Sequence, residues 1–502
     1  MRAATLAALI AAVVVVGVRW GTFVAGGSDS YCYLHQAERW ASGTLQVVEP
    51  LALEAPWPDA ALTFAPAGHI PSPTVPGALV PICAAGLSIA MAPLVWFGGI
   101  SAAFFIVPLF GALLIGATYV VGARYGARIG VASAAIVAST PAFLFQLMQP
   151  MSDVPAAARG MAAVAGVTSA RRRGAMLGGA AAAAAIVMRP NLVPLAIPLG
   201  LFLLLRPERL WGERIGAAAR FAAVGAAGPL CVAAIQNAFY GSPLSSGYGS
   251  LDPLFEVEHI QPNALRYATW LSHTLTPGWV LAAAAPFLLP GALSRLLLWM
   301  FIVNVACYLP YIVFEDWYFL RFLLPTIPIV VVLGVAVIDS LCRRARSWTS
   351  RPVLFVVAVA MMVFGIRAAE DRLAFRLQQI DARFEQAGRY VGDALPQNAI
   401  VITSWQSGSV RFYSGRKTIL WDDLDPAWLD RTMVWVRERG FEPYLLFESR
   451  EEPMFRRRFA GNPIGALDWP AAADIAATVR IYRPGDRERY YRGEPVLTDY
   501  AR

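Results

Sequence analysis

Charge is what this chain has least of. Only 15% of its 502 residues are Asp, Glu, Lys or Arg, against 57% hydrophobic residues and a mean hydropathy of +0.51. Soluble domains carry roughly a quarter charged residues. The deficit, with repeated apolar runs of roughly 18 or more residues, excludes an ordinary soluble protein and predicts a polytopic helical membrane protein. Cysteine is scarce too. The five (Cys32, Cys83, Cys231, Cys307, Cys342) include no C-x-x-C pair, so neither a zinc site nor a disulfide framework follows from their spacing. None of the four histidines (His35, His69, His259, His273) stands at H-x₃-H or a similar ligand spacing, which favours interfacial packing over metal binding. No internal repeat of the kind that builds many transporters is evident. The net charge of +8 does not indicate a nucleic-acid partner, because the arginines are grouped in short loops between apolar runs, where the positive-inside rule puts them.

What is present can be ordered by that rule. Ala3 to Val18 reads as an uncleaved first span with its N-terminus in the cytoplasm: Arg19-Trp20 follows the apolar core directly, and no small-x-small cleavage pattern precedes Ser28. A long loop, about residues 21–76, is acidic and rich in proline. It contains no lysine and one arginine, Arg39, which fits an outer location. Ala78 to Val121 holds two apolar halves broken at Trp96-Phe97-Gly98-Gly99. An odd number of crossings is needed before Arg124, so one half is expected to be re-entrant or tilted along the interface. Span length and arginine placement then predict about eleven crossings, with the C-terminus outside a cell (cytoplasmic or inner) membrane.

The expected architecture is therefore a mainly α transmembrane bundle over residues 1–369, followed by an extracytoplasmic α/β domain over residues 370–502. In the second part, Ala399–Thr403, Tyr444–Phe447 and Ala477–Tyr482 read as strands, and Pro426–Arg439 as a helix stopped by Gly440. No Gly-rich phosphate loop or nucleotide fingerprint occurs there.

This topology gathers the unusual polar residues on one side. After the first span, Ser28 is a plausible N-cap with Asp29 in the first turn of a short amphipathic helix. Leu34, Ala37 and Ala41 share one face, while Gln36 and Arg39 fall away, as in a helix lying in a membrane interface. Asp153, Asn191, the loop Gly241–Gly249 and Glu315–Arg321 fall on the same outer side, where ionisable residues near membrane depth are functional candidates. Plainer roles exist for each: Asp29 or Asp153 capping a helix, Arg321 snorkelling to headgroups, Gly241–Gly249 a simple turn-rich loop.

Taken in order, Asp29-Ser30-Tyr31-x-Tyr33, Ser152-Asp153-Val154-Pro155, Arg189-Pro190-Asn191, Tyr240-Gly-Ser-Pro243 with Ser246-Gly247-Tyr248-Gly249, and Arg321-Phe-Leu-Leu-Pro325 resemble the C-type (GT-C) membrane glycosyltransferases. The likeness is strongest to bacterial relatives of the protein O-mannosyltransferases and aminoarabinose transferases, and it covers about residues 1–370. It implies sugar transfer from a polyprenyl-phosphate-linked donor to an extracytoplasmic acceptor, whether lipid, glycan or protein. Asp29 would be the catalytic base and Asp153 the second acidic position. Arg321 would contact the lipid phosphate, with Tyr31, Tyr33, Asn191 and Tyr248 around the substrate. The first loop has Asp29 followed by Ser30, where the eukaryotic mannosyltransferases have adjacent acidic residues. A divalent metal is possible, but no ligand set is evident. Other readings are a transporter or flippase of lipid-linked sugars, and a non-catalytic envelope-assembly protein. A reporter joined after Arg502 is expected to be active only outside the cytoplasm; activity inside would separate Asp29, Asp153 and Arg321 from the side proposed for them.

Overall fold

The computed structural model describes residues 2–206, 208, 210–250, 252–345 and 350–501. Arg209 and Arg346, which count among the loop arginines of the positive-inside reading, lie outside the described residues. Three helices are long and apolar enough to cross a membrane: Ile100–Gly122, Trp211–Tyr240 and Arg351–Asp371. Two bent pairs raise this to five when each counts as one span: Ala127–Ser139 with Pro141–Leu147, bent by 62°, and Trp317–Leu323 with Ile327–Arg344, bent by 81°. By length and composition the described residues thus hold three to five spans, where the sequence predicts about eleven. The remaining apolar helices have 10–17 residues, which at about 1.5 Å per residue falls short of a hydrocarbon core about 30 Å thick.

The bends follow from proline. Thr140 is extended (φ −66°, ψ 138°) because the ring of Pro141 disfavours a helical conformation before it, and Pro325, which has no N–H to donate, falls within the second break. Between Pro76 and Arg124, Ile100–Gly122 reaches span length. Ala85–Gly98, with Pro93 inside it, does not, and its end carries Trp96 and Phe97 exposed at 74% and 83%. Small residues bring the bundle's inner helices together. Asp153–Val167 meets Gly174–Met188 so closely that a Cβ on Gly166 would stand 2.6 Å from the backbone nitrogen of Gly178.

The helix expected after the first span is present as Asp29–Ser42, but its setting differs. Gln36 is buried along with Leu34 and Ala37, because Ala85–Gly98 covers this face and Ser88 Oγ donates to the Tyr33 carbonyl at 2.9 Å. The helix is packed inside the protein, so its Gln36 face is covered by protein. Ser28 occupies the N-cap position with a helical backbone and makes no side-chain cap bond. Cys32 and Cys83 form a disulfide, Cα–Cα 6.2 Å, that ties this helix to the segment before Ala85. The spacing of the cysteines does not reveal it, since the two meet only through tertiary packing over 51 residues.

The C-terminal part forms a six-stranded mixed sheet. Numbering strands along the whole chain, β1 (Val47–Val48), β2 (His69–Pro71) and β3 (Ala78–Pro81) make a small antiparallel sheet between the helix Asp29–Ser42 and the helix Ala85–Gly98. β4 (Ala399–Ile402), β5 (Lys417–Ile419), β6 (Glu442–Glu448), β7 (Ala473–Ile475), β8 (Val479–Tyr482) and β9 (Asp499–Ala501) follow, in the order β5-β4-β6-β8-β7-β9. β4 runs parallel to both β5 and β6; β8 is antiparallel to β6. All three expected strands exist. The last starts at Val479 because Ala476 and Ala477 take positive φ in the turn before it. The expected helix is Leu429–Glu438 after a short turn at Pro426–Trp428, and Gly440 (φ +80°) follows its end.

The first loop does not stand apart from this sheet. Leu51, Trp57 and Phe64 share a core with Ile400, Ile402 and Phe447. Glu49, 3% exposed, pairs with Arg411 at 3.4 Å and with the chain's only lysine, Lys417, at 2.6 Å. Glu49→Ala leaves the Arg411 guanidinium without that partner. A loss of roughly 3–5 kcal/mol is expected for breaking such a buried pair, read as a lower thermal midpoint in detergent; an unchanged midpoint would mean the pair adds nothing to this junction.

Candidate functional site

Two carboxylates and two guanidiniums line one cavity of about 620 Å³. Asp29 opens the helix Asp29–Ser42, and Asp153 opens the helix Asp153–Val167. Arg189 is extended (φ −146°, ψ 101°) between the alanine-rich helix Gly174–Met188 and Pro190. Arg321 lies in the 3₁₀ turn Trp317–Leu323, which the 81° bend swings across the end of the following helix.

The charges are paired. Both terminal nitrogens of Arg321 donate to Asp29 Oδ2 at 3.1 Å, while Arg321 Nε is buried without a partner among the described residues. Arg189 donates to Asp153 Oδ1, and that carboxylate is 1% exposed. The Asp29 side chain, at 36%, is the open member of the set. Both guanidiniums also face Phe322, with Arg189 at 5.6 Å and Arg321 at 5.5 Å from its ring centre. The four charges sum to zero, so the site tolerates partial burial without a net ion.

Hydroxyls and an amide fill the spaces between them. Tyr33 Oη and Ser152 Oγ are 2.8 Å apart. Asn191 Nδ2 donates to Tyr308 Oη, and the Tyr308 ring stacks on Phe322 at 4.9 Å. Tyr248 closes the cavity from the loop after Tyr240. Burial pushes the Tyr33 phenol up to about 12, and burial followed by the Asp29 charge raises that of Tyr248. Both are therefore neutral hydroxyls at physiological pH, able to donate and accept. The rest of the wall is apolar and includes Val232, Ile235, Phe239 and Phe255.

Of the residues expected at the site, Asp29, Tyr33, Asp153, Asn191, Tyr248 and Arg321 all line this cavity. Tyr31 does not. It is buried on the other side of its helix, stacked on His35 at 5.3 Å and edge-on to Phe412 at 6.4 Å. Arg189 and Tyr308 belong to the cavity and are absent from the expected set. Arg189 had a signal: a lone charge closing an otherwise apolar helix, at a depth where an unpaired ion is costly. Tyr308 had none. The donor set does not suit a divalent cation. Each carboxylate already faces a guanidinium, and no group of three or more His, Cys, Asp or Glu side chains capable of holding a metal occurs among the described residues.

No protein-family model matches the sequence, and comparison with curated proteins by sequence finds no match. Solved structures do match in shape. ArnT from Cupriavidus metallidurans in the apo state is similar with a TM-score of 0.57 at 12% identity, over 95% of this chain and 97% of that one. The archaeal oligosaccharyltransferase AglB from Archaeoglobus fulgidus, solved with an inhibitory peptide and a dolichol-phosphate, gives 0.55 at 12% identity, over 93% and 72%. The arabinofuranosyltransferase AftD from Mycobacteria gives 0.53 at 15%, over 95% of this chain and 41% of that one. These neighbours are GT-C glycosyltransferases. The fold is GT-C-like. Identities this low carry the architecture of a multi-pass membrane protein alone, so any activity has to be argued from the cavity.

One titratable pair sits behind the GT-C-like cavity. His35 Nδ1 and His69 Nε2 are 3.0 Å apart. Burial, then Arg39 and Arg411, lowers His35 to about 4; burial, then His35 and Arg411, holds His69 well below 6.5. Both imidazoles are neutral when folded, whereas the unfolded chain takes up protons below about 6.5. Their contribution to stability is complete above pH 6.5 and is lost as the pH falls towards 4. The thermal midpoint should therefore drop between pH 6.5 and 4.5, and less steeply in His35→Phe; equal slopes would remove the pair from the account.

Proposed function

We propose that this protein transfers a glycosyl group from a polyprenyl-phosphate-linked donor to an acceptor hydroxyl on the outer face of the cytoplasmic membrane. The observation that carries the reading is the convergence of Asp29, Asp153, Arg189 and Arg321, from four separate elements, on one partly apolar cavity. Three things support its setting. The solved neighbours include ArnT bound to undecaprenyl phosphate and AglB with a dolichol-phosphate. The cavity wall has apolar side chains suited to a polyprenyl chain and polar ones suited to sugar hydroxyls. The Cys32–Cys83 disulfide fits an oxidising, extracytoplasmic compartment for the first loop. On this reading the N-terminus is cytoplasmic, and residues 370–502 form an extracytoplasmic domain.

The chemistry follows from the groups present. An acceptor hydroxyl attacks the anomeric carbon while the bond from that carbon to the phosphate oxygen breaks. The proton passes to a carboxylate of Asp29, and the bonding electron pair leaves with the phosphate. A hydroxyl needs such a base because its pKa is far above neutrality. The phosphate gathers charge as it leaves, and a fixed guanidinium stabilises that charge better than mobile water in a partly dehydrated cleft. Arg321 has this role: Asp29 takes one N–H from each of its terminal nitrogens, and the second N–H of each remains for a phosphate oxygen. Asp153, fixed by Arg189, and the Tyr33, Asn191 and Tyr248 groups orient the sugar.

In vitro transfer with a panel of polyprenyl-phosphate sugars tests this. Asp29→Asn should remain folded and membrane-inserted while transfer falls by roughly 10²–10⁴, the usual contribution of a general base. Transfer at the wild-type rate in that variant would remove Asp29 from the mechanism. Movement of a labelled lipid-linked sugar across proteoliposomes, without new glycosidic bonds, would favour a transporter. Arg321→Lys keeps the charge but loses the planar fork, and a marked loss of turnover is expected.

A further inference from the structure

The segment that carries Asp29 is clamped from outside the bundle by the helix Ser407–Ser414, which follows β4 in the C-terminal part. The backbone N–H of Ala25 donates to Tyr413 Oη at 2.9 Å. Phe384, from the helix Leu377–Ala394, lies so close to Gly26 that a Cβ there would stand 2.6 Å from its ring. Gly408 packs flat on the ring of Tyr31, two residues beyond Asp29; a Cβ on Gly408 would overlap that ring, with Tyr31 Cε1 at 2.9 Å. Ser407 Oγ accepts from the backbone N–H of Ala67 at 2.9 Å. The neighbouring Gly68 rests on the same helix start, since a Cβ there would stand 2.6 Å from the Ser28 carbonyl.

These contacts share one geometric consequence. Within the helix Asp29–Ser42, Tyr31 faces the C-terminal part while Asp29 and Tyr33 face the cavity. Pressure on the Tyr31 face must therefore move Asp29 with it. A further face, about a quarter turn round the helix, is held by the disulfide from Cys32 to Cys83, a residue that lines the cavity. The start of the helix is thus gripped between a covalent tie and the face of Ser407–Ser414.

We infer that the C-terminal domain positions the Asp29 carboxylate, with Gly408 and Tyr413 as positioning residues that act through Tyr31 and Ala25. The inference rests on the catalytic reading of Asp29 and gives the domain a role in the transfer step rather than in holding the acceptor. Misplacing a reacting group by about 1 Å costs on the order of 10²-fold in rate. Neither residue touches the cavity, so donor binding is expected to survive their loss.

The test uses the full-length protein in two variants. Gly408→Ala forces the Tyr31 ring to shift; Tyr413→Phe removes only the hydroxyl that holds Ala25 and serves if the first does not fold. In each, kcat should fall about 10- to 100-fold while the donor KM stays within about twofold of wild type, the signature of a group misplaced in the transition state. Amide exchange over Asp29 to Tyr33 should rise, with the exchange of β4 and β6 unchanged. Wild-type kcat in both variants, or a raised KM with unchanged kcat, overturns the inference. If the wild-type protein itself transfers no sugar, the catalytic reading has failed, and the exchange measurement then decides alone: faster exchange over Asp29 to Tyr33 supports positioning, and unchanged exchange overturns it.

Discussion

Everything in this structure that bears on function depends on keeping four charges together at the edge of an apolar bundle. A lone carboxylate or guanidinium moved out of water costs several kcal/mol even after relaxation. Asp29 with Arg321, and Asp153 with Arg189, meet that cost pairwise, and the ring of Phe322 adds a second, weaker attraction for both cations. The pairs require elements far apart in sequence to end at the same height. That is the work done by the proline bends before Pro141 and at Pro325, and by the close glycine contact between Gly166 and Gly178.

The long first loop and the C-terminal sheet solve a second problem. A loop of more than fifty residues would ordinarily be mobile, and Asp29 lies in it. Here Leu51, Trp57 and Phe64 complete the core of the sheet, Glu49 bridges Arg411 and Lys417, and Cys32 is joined to Cys83. Apolar burial, a buried ion pair and a covalent bond act on one loop from three directions. The two parts of the chain share a core, and the position of Asp29 follows from both.

How much of this was legible in the residues varies with the length scale of the signal. The strands at Ala399 and Tyr444 were readable because each holds four consecutive apolar residues, and the one at Val479 because apolar residues flank a single Arg480. β5, β7 and β9 have three residues each, too few to show a period. Asp29, Asp153 and Arg321 stood out because charge is rare in this composition and topology put them on one side. Tyr31 misled, since alternate residues at a helix start point to different sides and only tertiary packing decides which one meets the cavity. The same holds for Gln36, taken as exposed until Ala85–Gly98 covers it. The disulfide was hidden for a related reason: cysteine spacing is informative only when the bonded segments are neighbours by fold, and here the fold itself makes them so.

The central claim is that Arg321, paired at rest with Asp29, is the seat of a lipid-linked phosphate. A structure determined with undecaprenyl phosphate bound measures this most directly. The account predicts the phosphate within hydrogen-bonding distance of the Arg321 guanidinium, with the polyprenyl chain along the wall of Val232, Ile235 and Phe239. A phosphate bound elsewhere, with the Asp29–Arg321 pair and the cavity untouched, would contradict it.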